Sequence, residues 1–299
     1  MNRFFFKHGI IFIFVVLLGL PVSAKPFPVT VKDKTGHEVT LKQKPVKIIS
    51  LGAASTEILY EVGAGKQIAA VSDVSNYPEQ AKKLPTIGGF DAKTISLEKI
   101  LSFKPDFIII YSGMHDFLIP SFEKFHIPYY VSNAATIADV IDEIKDIAYL
   151  TGYKSTGDSL EKKYKKIVAK ISENIKKSGR DKPDVFWEVY NAPFMSAGKN
   201  SFINDVISIC GGKNIFGDID QAYPVVSEET IIASDPDFIL LPNDMYPSTD
   251  AVMNRRGWQN ITAVKNNAVI IINADIFTRP GPRIFEALET LQEIFFSKK

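Results

Sequence analysis

Short apolar runs alternate with amphipathic segments along most of the chain, and this alternation predicts the fold. Apolar runs of three to five residues occur at 68–71, 107–111 and 129–131, and a longer β-type run follows Val46. Such runs are typical of buried strands, and the segments between them have helical spacing. After residue 182 the pattern returns, with strands predicted over 185–190, 238–241 and 268–272 and helices over 202–210 and 284–296. Strands that alternate with helices indicate an α/β architecture.

Two longer helices are predicted between these regions. Thr136 and Asp139 form a capping pattern before the first, which ends at Gly152. The second, over 158–177, places five apolar side chains on one face and seven lysines elsewhere. Its roughly 20 residues would span about 30 Å, the diameter of a small domain, so it could join two lobes. The expected division is an N-terminal α/β lobe over 25–135, a helical segment over 136–181 and a C-terminal α/β lobe over 182–299.

The first predicted strand leads directly into a helix. Gly52 ends the strand at 46–51, and the residues after it have helical character. We expect Ser55 to cap this helix and Glu57 to lie in its first turn, where an acid suits the helix N-terminus.

A thirteen-residue repeat relates the two predicted lobes. Residues 96–108 and 227–239 share Ser, Glu, Ile, Pro, Asp, Phe and Ile at an offset of 131 with no gap. Each copy predicts a short helix with a serine N-cap and then a Pro-Asp turn into a buried strand. The repeated acids, Glu98 and Glu229, would be stabilised at a helix N-terminus whatever their function. Their symmetry also fits docking on a two-fold symmetric partner.

The first 24 residues have the organisation of a secretory signal. Arg3 and Lys7 precede a twelve-residue apolar run, and Val-Ser-Ala follows at 22–24. A membrane span needs about 20 apolar residues, which favours a cleaved signal peptide over 1–24. We expect cleavage after Ala24 to leave a soluble periplasmic protein of net charge −1, with no cysteine near the cut to carry a lipid.

Composition narrows the possible chemistry. With 35 basic and 34 acidic side chains, the protein lacks the basic surface of a non-specific nucleic-acid binder. A single cysteine excludes internal disulfides and Cys-rich metal sites, and Cys210, in an apolar run, is expected in the core. The remaining histidines of the mature chain, His37, His115 and His126, lack the spacing of a zinc site. Without a catalytic or phosphate-binding motif, we expect a binding protein and not an enzyme.

Several motifs resemble the substrate-binding proteins of ABC transporters that import iron chelates and cobalamin. The matching stretches are 48–51 with Ser55-Thr56-Glu57, Ser75-Asn76-Tyr77-Pro78, 97–100 with Lys104-Pro105-Asp106, 210–216, 223–227, Asp275-Ile276-Phe277 with Arg279, and Pro282-Arg283-Ile284. The similarity covers nearly all of the mature chain and is greatest to the cobalamin-binding branch. The resemblance implies two α/β lobes joined by one long rigid helix, with the ligand in a cleft between the lobes.

The same resemblance implies a function and two kinds of site. The protein is expected to be a monomer that delivers cobalamin or a related corrinoid to a permease dimer with its ATPase subunits, with no cofactor of its own. Glu98 and Glu229 are the implied permease-docking residues. The implied ligand contacts are Phe90, Tyr223, Asp275 and Arg279, with Tyr77 as a further candidate. The sequence departs from the cobalamin branch at Val74 and Ile276, which replace aromatic residues, and by an insertion near 93–94.

Two alternatives remain open. A protein of the same class could carry a ferric siderophore or haem, because siderophore sites use arginines against anionic chelates and haem sites supply a Tyr or His ligand. Arg255 and Arg256 beside Trp258 are the candidates for such a chelate. A secreted hydrolase is the other alternative, and it would need a nucleophile, a base and an orienting acid in one pocket.

Overall fold

The computed structural model describes residues 27–89, 91 and 93–296. The predicted signal peptide and Phe90 lie outside these residues. Among the residues described, no helix combines the length and the apolar character that a membrane crossing requires.

The N-terminal lobe is built around a four-stranded parallel sheet. The strands of the whole lobe are β1 (Val29–Lys32), β2 (Glu38–Leu41), β3 (Ile48–Ser50), β4 (Ile68–Val71), β5 (Phe107–Tyr111) and β6 (Tyr129–Ser132). The sheet order is β4-β3-β5-β6, and β1 and β2 form a separate antiparallel pair. The central strands β3 and β5 are almost entirely buried, which explains their continuous apolar runs.

The helices of the N-terminal lobe are α1 (Ala53–Glu61), α2 (Leu97–Ser102) and α3 (Ile119–Lys124), with 3₁₀ turns at Gly65–Gln67, Ala81–Lys83 and Asp116–Leu118. The predicted cap at Ser55 is wrong. Gly52, in extended conformation, is the N-cap, and no side chain caps α1. Because the chain turns into the helix directly after β3, Ser55 and Glu57 lie within α1, and both are buried.

Two helices link the lobes. They are α4 (Ile137–Leu150) and α5 (Lys154–Ser178). The predicted capping box at the start of α4 is confirmed, since Asp139 N donates to Thr136 Oγ1 and the Asp139 carboxylate accepts from Thr136 N. The 25 residues of α5 span about 38 Å. Tyr164 of α5 stacks on Phe285 at 3.9 Å between ring centroids, which fixes this helix against the C-terminal part of the chain.

The C-terminal lobe also has a layered α/β arrangement, but one edge strand of its sheet is antiparallel to its neighbour. Its strands are β7 (Asp184–Asn191), β8 (Phe194–Ser196), β9 (Lys213–Asn214), β10 (Phe238–Pro242) and β11 (Val269–Ile272). Its helices are α6 (Phe202–Ile209), α7 (Glu228–Ser234), α8 (Asp250–Met253), α9 (Thr262–Lys265), α10 (Ala274–Phe277) and α11 (Ile284–Phe296), with a 3₁₀ turn at Trp258–Asn260. The sheet order is β11-β10-β7-β8, and β9 also pairs with β7. Among the described strands of this sheet, β8 is antiparallel to its neighbour and the others are parallel.

The fold is therefore two α/β lobes joined by a long helix, as predicted. The core of the C-terminal lobe contains Trp187, Trp258 and Cys210, each at most 1% exposed. The expectation that Cys210 is a core residue is confirmed, and burial raises the pKa of its thiol.

Candidate ligand cleft

A cavity of about 350 Å³ lies between the lobes. Its N-terminal wall consists of residues 52–55 after β3, Val74 after β4, and Tyr111 at the end of β5. Its C-terminal wall consists of Asp275, Thr278, Arg279 and Pro280, which follow β11. In parallel α/β sheets, the loops at the carboxyl ends of the strands form the ligand crevice, and both walls have this origin.

The start of α1 supplies hydrogen-bond donors to the N-terminal wall. The first amides of a helix have no partner within the helix, and α1 has no side-chain cap to satisfy them. The buried Ser55 hydroxyl also has no hydrogen-bond partner among the described residues. The neighbouring Thr56 Oγ1 lies 2.9 Å from Ser50 Oγ and 3.0 Å from Ser75 Oγ. These buried hydroxyls connect β3 and α1 to the loop after β4.

The C-terminal wall contains an ion pair that also reaches the opposite lobe. Asp275 and Arg279, one turn apart, form a salt bridge with 2.5 Å between Oδ1 and Nη2. Asn76 of the N-terminal lobe donates to Asp275 Oδ2 at 2.9 Å and accepts from Arg279 Nη1 at 2.7 Å. The structure thus brings together the two predicted ligand contacts, and their polar atoms bind each other and Asn76.

A second ion pair, between Glu57 and Arg283, also links the two lobes. Glu57 of α1 is 3% exposed. Its carboxylate accepts from Arg283 Nε at 2.8 Å and from Arg283 Nη2 at 2.5 Å. Arg279 Nη1 approaches Glu57 Oε1 at 3.4 Å, which joins the two ion pairs. The hydrogen bond to Glu57 raises the pKa of the Arg283 guanidinium, which therefore stays positively charged at neutral pH.

A larger cavity of about 860 Å³ lies on the other side of this cluster. Glu57 and Arg283 line it, together with residues of α1, α5 and α11. Tyr77, a predicted ligand contact, also lies in its wall, with the Arg283 guanidinium 4.2 Å above the centre of its ring. Tyr77 is absent from the wall of the smaller cavity. The cluster of charges therefore separates the cleft from the space that Tyr77 faces.

Tyr223 lies in a loop of the C-terminal lobe and is 47% exposed. Desolvation raises the pKa of its hydroxyl, and the nearby Tyr111 of the opposite lobe raises it further. Because Tyr111 lines the cleft, Tyr223 lies at the cleft edge with its ring available. Val74 is also in the cleft wall, so one of the two positions where an aromatic residue of the cobalamin branch is replaced lies in the wall itself. Ile276, the other departure, is half-buried and packs against the core.

Tyr111 of the cleft wall was not predicted as a site residue. Three residues that connect the lobes beside the cleft were also not predicted: Glu57, Asn76 and Arg283. All three lie in stretches that carry the family resemblance, but the sequence alone did not indicate that they meet. Glu57 had one usable signal. It is an acid between the small residues 53–56 and the apolar pair Ile58 and Leu59, and an acid on a buried helix face needs a partner.

Of the two arginines considered for an anionic chelate, Arg256 is exposed and Arg255 has a partner within its own lobe. Its guanidinium donates to both oxygens of Glu188, at 2.9 and 3.0 Å, and Glu188 is fully buried. It also lies over the rings of Phe194 and Trp258. Arg255 is therefore part of the lobe interior. Across residues 27–89, 91 and 93–296, no three His, Cys, Asp or Glu side chains are grouped as metal ligands.

The two repeated glutamates are on the surface. Glu98 and Glu229 each occupy the first turn of a short helix, α2 or α7, and both are exposed. The serines before them do the capping, since Ser96 accepts from Lys99 N at 3.2 Å and Ser227 accepts from Thr230 N at 3.1 Å.

Comparison with known proteins identifies the family to which this arrangement belongs. An uncharacterized ABC transporter substrate-binding lipoprotein, YvrC of Bacillus subtilis, is 30% identical over 276 residues, covering 90% of this chain and 86% of that protein. A vitamin B12-binding protein of Vibrio vulnificus is 31% identical over 265 residues, covering 87% and 93%. The crystal structure of the periplasmic vitamin B12 binding protein BtuF of Vibrio cholerae has a TM-score of 0.72 at 28% identity, covering 84% and 96%.

The periplasmic heme binding protein HutB of Vibrio cholerae shares the fold, with a TM-score of 0.75 at 21% identity and coverage of 84% and 99%. The sequence profile described as periplasmic binding protein matches residues 48–276, which is most of the sequence. The chain belongs to the periplasmic binding protein family of ABC importers.

Proposed function

We propose that the protein binds cobalamin or a related corrinoid in the cleft between its lobes and delivers it to the permease of an ABC importer. The observation that carries this proposal is the charge balance of the cleft wall. Its charged side chains, Asp275 and Arg279, are paired with each other. Vitamin B12-binding proteins at about 30% identity support the same ligand class.

A corrinoid suits such a wall. Its ring is broad and amphipathic, and it is fringed with neutral amides that both donate and accept hydrogen bonds. Tyr111 and Tyr223 offer aromatic faces from opposite lobes, and aromatic side chains provide large contact areas. Asp275 and Arg279 can exchange part of their hydrogen bonding with Asn76 for the ligand amides. A corrinoid is larger than the enclosed volume, so its outer edge would extend over Tyr223.

An anionic cargo is less well matched. Ferric siderophores and haem carry carboxylates or phenolates, which are bound by cations with free donors. Arg279 is engaged by Asp275 and Asn76, and Arg255 is engaged by Glu188. Each guanidinium would have to give up a carboxylate before it could bind an anionic ligand.

Export and docking complete the proposal. We propose that the signal peptide is cleaved after Ala24, so that the protein from its native host begins at Lys25. Glu98 and Glu229 dock on the permease, one from each lobe. Both glutamates are exposed, and the serines before them provide the helix caps, so both carboxylates are available to a partner. In ABC importers that partner works with its ATPase subunits.

Calorimetric titration tests the ligand. Cyanocobalamin and cobinamide should each produce saturable heat. Tyr223→Ala should weaken cyanocobalamin binding by about 1–3 kcal/mol, as expected for loss of one aromatic anchor. The matched control is Phe125→Ala, because Phe125 is similarly exposed but precedes β6, at the sheet edge opposite the cleft. Heat with haemin or a ferric siderophore, and none with any corrinoid, would reject the proposal.

A further inference from the structure

Four charged side chains form one cluster where the lobes meet. Glu57 comes from the N-terminal lobe, and Asp275, Arg279 and Arg283 come from the C-terminal lobe. Two carboxylates and two guanidinium groups give the cluster no net charge. Glu57 is the most buried of the four and contacts both arginines, so the balance depends on it.

The cluster faces the cleft through only two of its members. Asp275 and Arg279 line the smaller cavity, while Glu57 and Arg283 line the larger cavity behind it. A ligand in the cleft would therefore touch Arg279 and not Glu57. It would nevertheless experience the charge of all four groups, because electrostatic interactions between buried groups are weakly screened.

We propose that Glu57 is a specificity-determining residue that makes the cleft unfavourable for anionic ligands. This inference rests on the proposed function only in taking the cleft as the ligand site. Glu57 acts through the arginines. It holds Arg283 by two hydrogen bonds and Arg279 by a longer contact, and it cancels one of their two charges. A neutral, amide-fringed ligand loses nothing in this setting, whereas a carboxylate-bearing ligand gains no net attraction.

Glu57→Gln tests the idea, because it removes one negative charge and retains the shape of the side chain. The cluster then carries a net positive charge beside the cleft. Haemin, with two carboxylates, should bind on the order of fivefold to twentyfold more tightly than to the unmodified protein, and added salt should reduce the gain. The ratio of cyanocobalamin to haemin affinity should fall accordingly.

The matched control is Glu188→Gln. Glu188 also is buried and accepts two hydrogen bonds from one arginine, but neither it nor Arg255 lines the cleft. This variant should leave haemin affinity within about twofold of the unmodified protein. An equal gain in Glu188→Gln would show that loosening the protein is sufficient and would overturn the proposal.

Arg283→Gln provides a second, opposite test that holds even if Glu57→Gln folds poorly. It leaves the cluster with a net negative charge, so haemin should bind more weakly than to the unmodified protein. The double variant Glu57→Gln/Arg283→Gln restores neutrality and should abolish the gain. Unchanged haemin affinity in both folded single variants would reject the role of Glu57. Failure of cyanocobalamin to bind the unmodified protein would instead reject the proposed cargo, which the haemin comparison does not depend on.

Discussion

The two lobes begin their central strands in the same way but accommodate a buried glutamate differently. Asp106 and Asp237, which are equivalent in the repeat, each bind the start of the neighbouring strand. Asp106 accepts from Lys47 N at 2.9 Å, and Asp237 accepts from Asp184 N at 2.9 Å. The backbone amides of both aspartates donate in return to the carbonyls of the same partner residues. The repeat is therefore a structural device that holds two strands in register in each lobe.

The buried glutamates show the difference. In the C-terminal lobe, Glu188 is held by the Arg255 guanidinium and accepts a hydrogen bond from Tyr246. At the N-terminal lobe, Glu143 of α4 accepts from two neutral donors, Ser132 Oγ at 2.7 Å and Asn133 N at 2.6 Å. Burial raises the pKa of the Glu143 carboxyl to about 7. Glu188 is thus paired with a cation, whereas Glu143 has a pKa close to neutrality and should respond to pH there.

The largest effect on stability is expected from breaking the ion pair between Glu188 and Arg255 in the C-terminal lobe. Arg255→Met removes the cation and leaves the Glu188 carboxylate buried with the Tyr246 hydrogen bond but without a counter-charge. We expect the free energy of unfolding to fall by about 3–5 kcal/mol, as measured by urea denaturation at pH 7. The double variant Glu188→Leu/Arg255→Met should recover a large part of this loss, because no charge then remains buried. A double variant as unstable as Arg255→Met would contradict this account.

A smaller, pH-dependent effect is expected in the other lobe. The folded-state pKa of Glu143 is about 7, above the ordinary value of 4.5, so the folded protein binds this proton more tightly than the unfolded chain. The stability from this group is complete below pH 4.5 and is lost as the pH rises through 7, by about 3 kcal/mol in total. Glu143→Gln should remove this decline.

Urea denaturation at pH 4.5, 6 and 8 measures the difference between the Glu143→Gln variant and the unmodified protein. Asp146, whose pKa burial raises to about 6, changes stability in the same direction but is present in both proteins. The difference between the two curves therefore isolates Glu143. Parallel curves across this range would show that its carboxyl does not titrate as described.

Elements of both lobes that depend on a local pattern were predicted correctly from the sequence. The bounds of β5 and α11 agree with the sequence-based predictions, because each is an apolar stretch of the correct period between turn residues. The Thr136 cap was predictable for the same reason, since its hydrogen bonds are made within four residues. Local patterns determine local structure.

Contacts between the lobes could not be predicted in this way. Glu57 and Arg283 are 226 residues apart, and nothing in the local pattern of either residue specifies the other. Ser55 was wrongly predicted as a cap because the pattern of a cap does not show at which residue the chain leaves the preceding strand. The edge strand β8 was missed, since its three residues are too few for a period to be recognised.

Substitution within the repeat should produce a still smaller and unequal effect. Asp106 accepts from two backbone amides, Val46 N and Lys47 N, whereas Asp237 accepts from Asp184 N. We expect Asp106→Ala to lower the free energy of unfolding by about 2 kcal/mol and Asp237→Ala by about 1 kcal/mol. Thermal or urea denaturation of the two variants side by side provides the comparison. A larger loss for Asp237→Ala would show that the number of accepted backbone hydrogen bonds does not determine the contribution of these two aspartates.

The smallest effect on stability is expected where the repeat faces solvent. The other shared residues of the repeat have structural roles: the serines cap helices, the aspartates hold strands, and Ile100 and Ile231 are fully buried. Glu98 and Glu229 are exposed and are not needed as caps, so changing both to alanine should alter the free energy of unfolding by less than about 0.5 kcal/mol.

The proposed docking on a symmetric permease offers a cause for their repetition in addition to stabilisation of the two helix N-termini. The double variant Glu98→Ala/Glu229→Ala should bind cyanocobalamin as before but associate more weakly with the permease, and the remaining association should depend less on salt. The control is Glu38→Ala/Asp244→Ala, which removes two exposed acids outside the repeat. Surface plasmon resonance against the permease in detergent or nanodiscs measures both. If the control weakens association as much as the repeat variant, net charge and not the paired positions governs docking, and the symmetry argument fails.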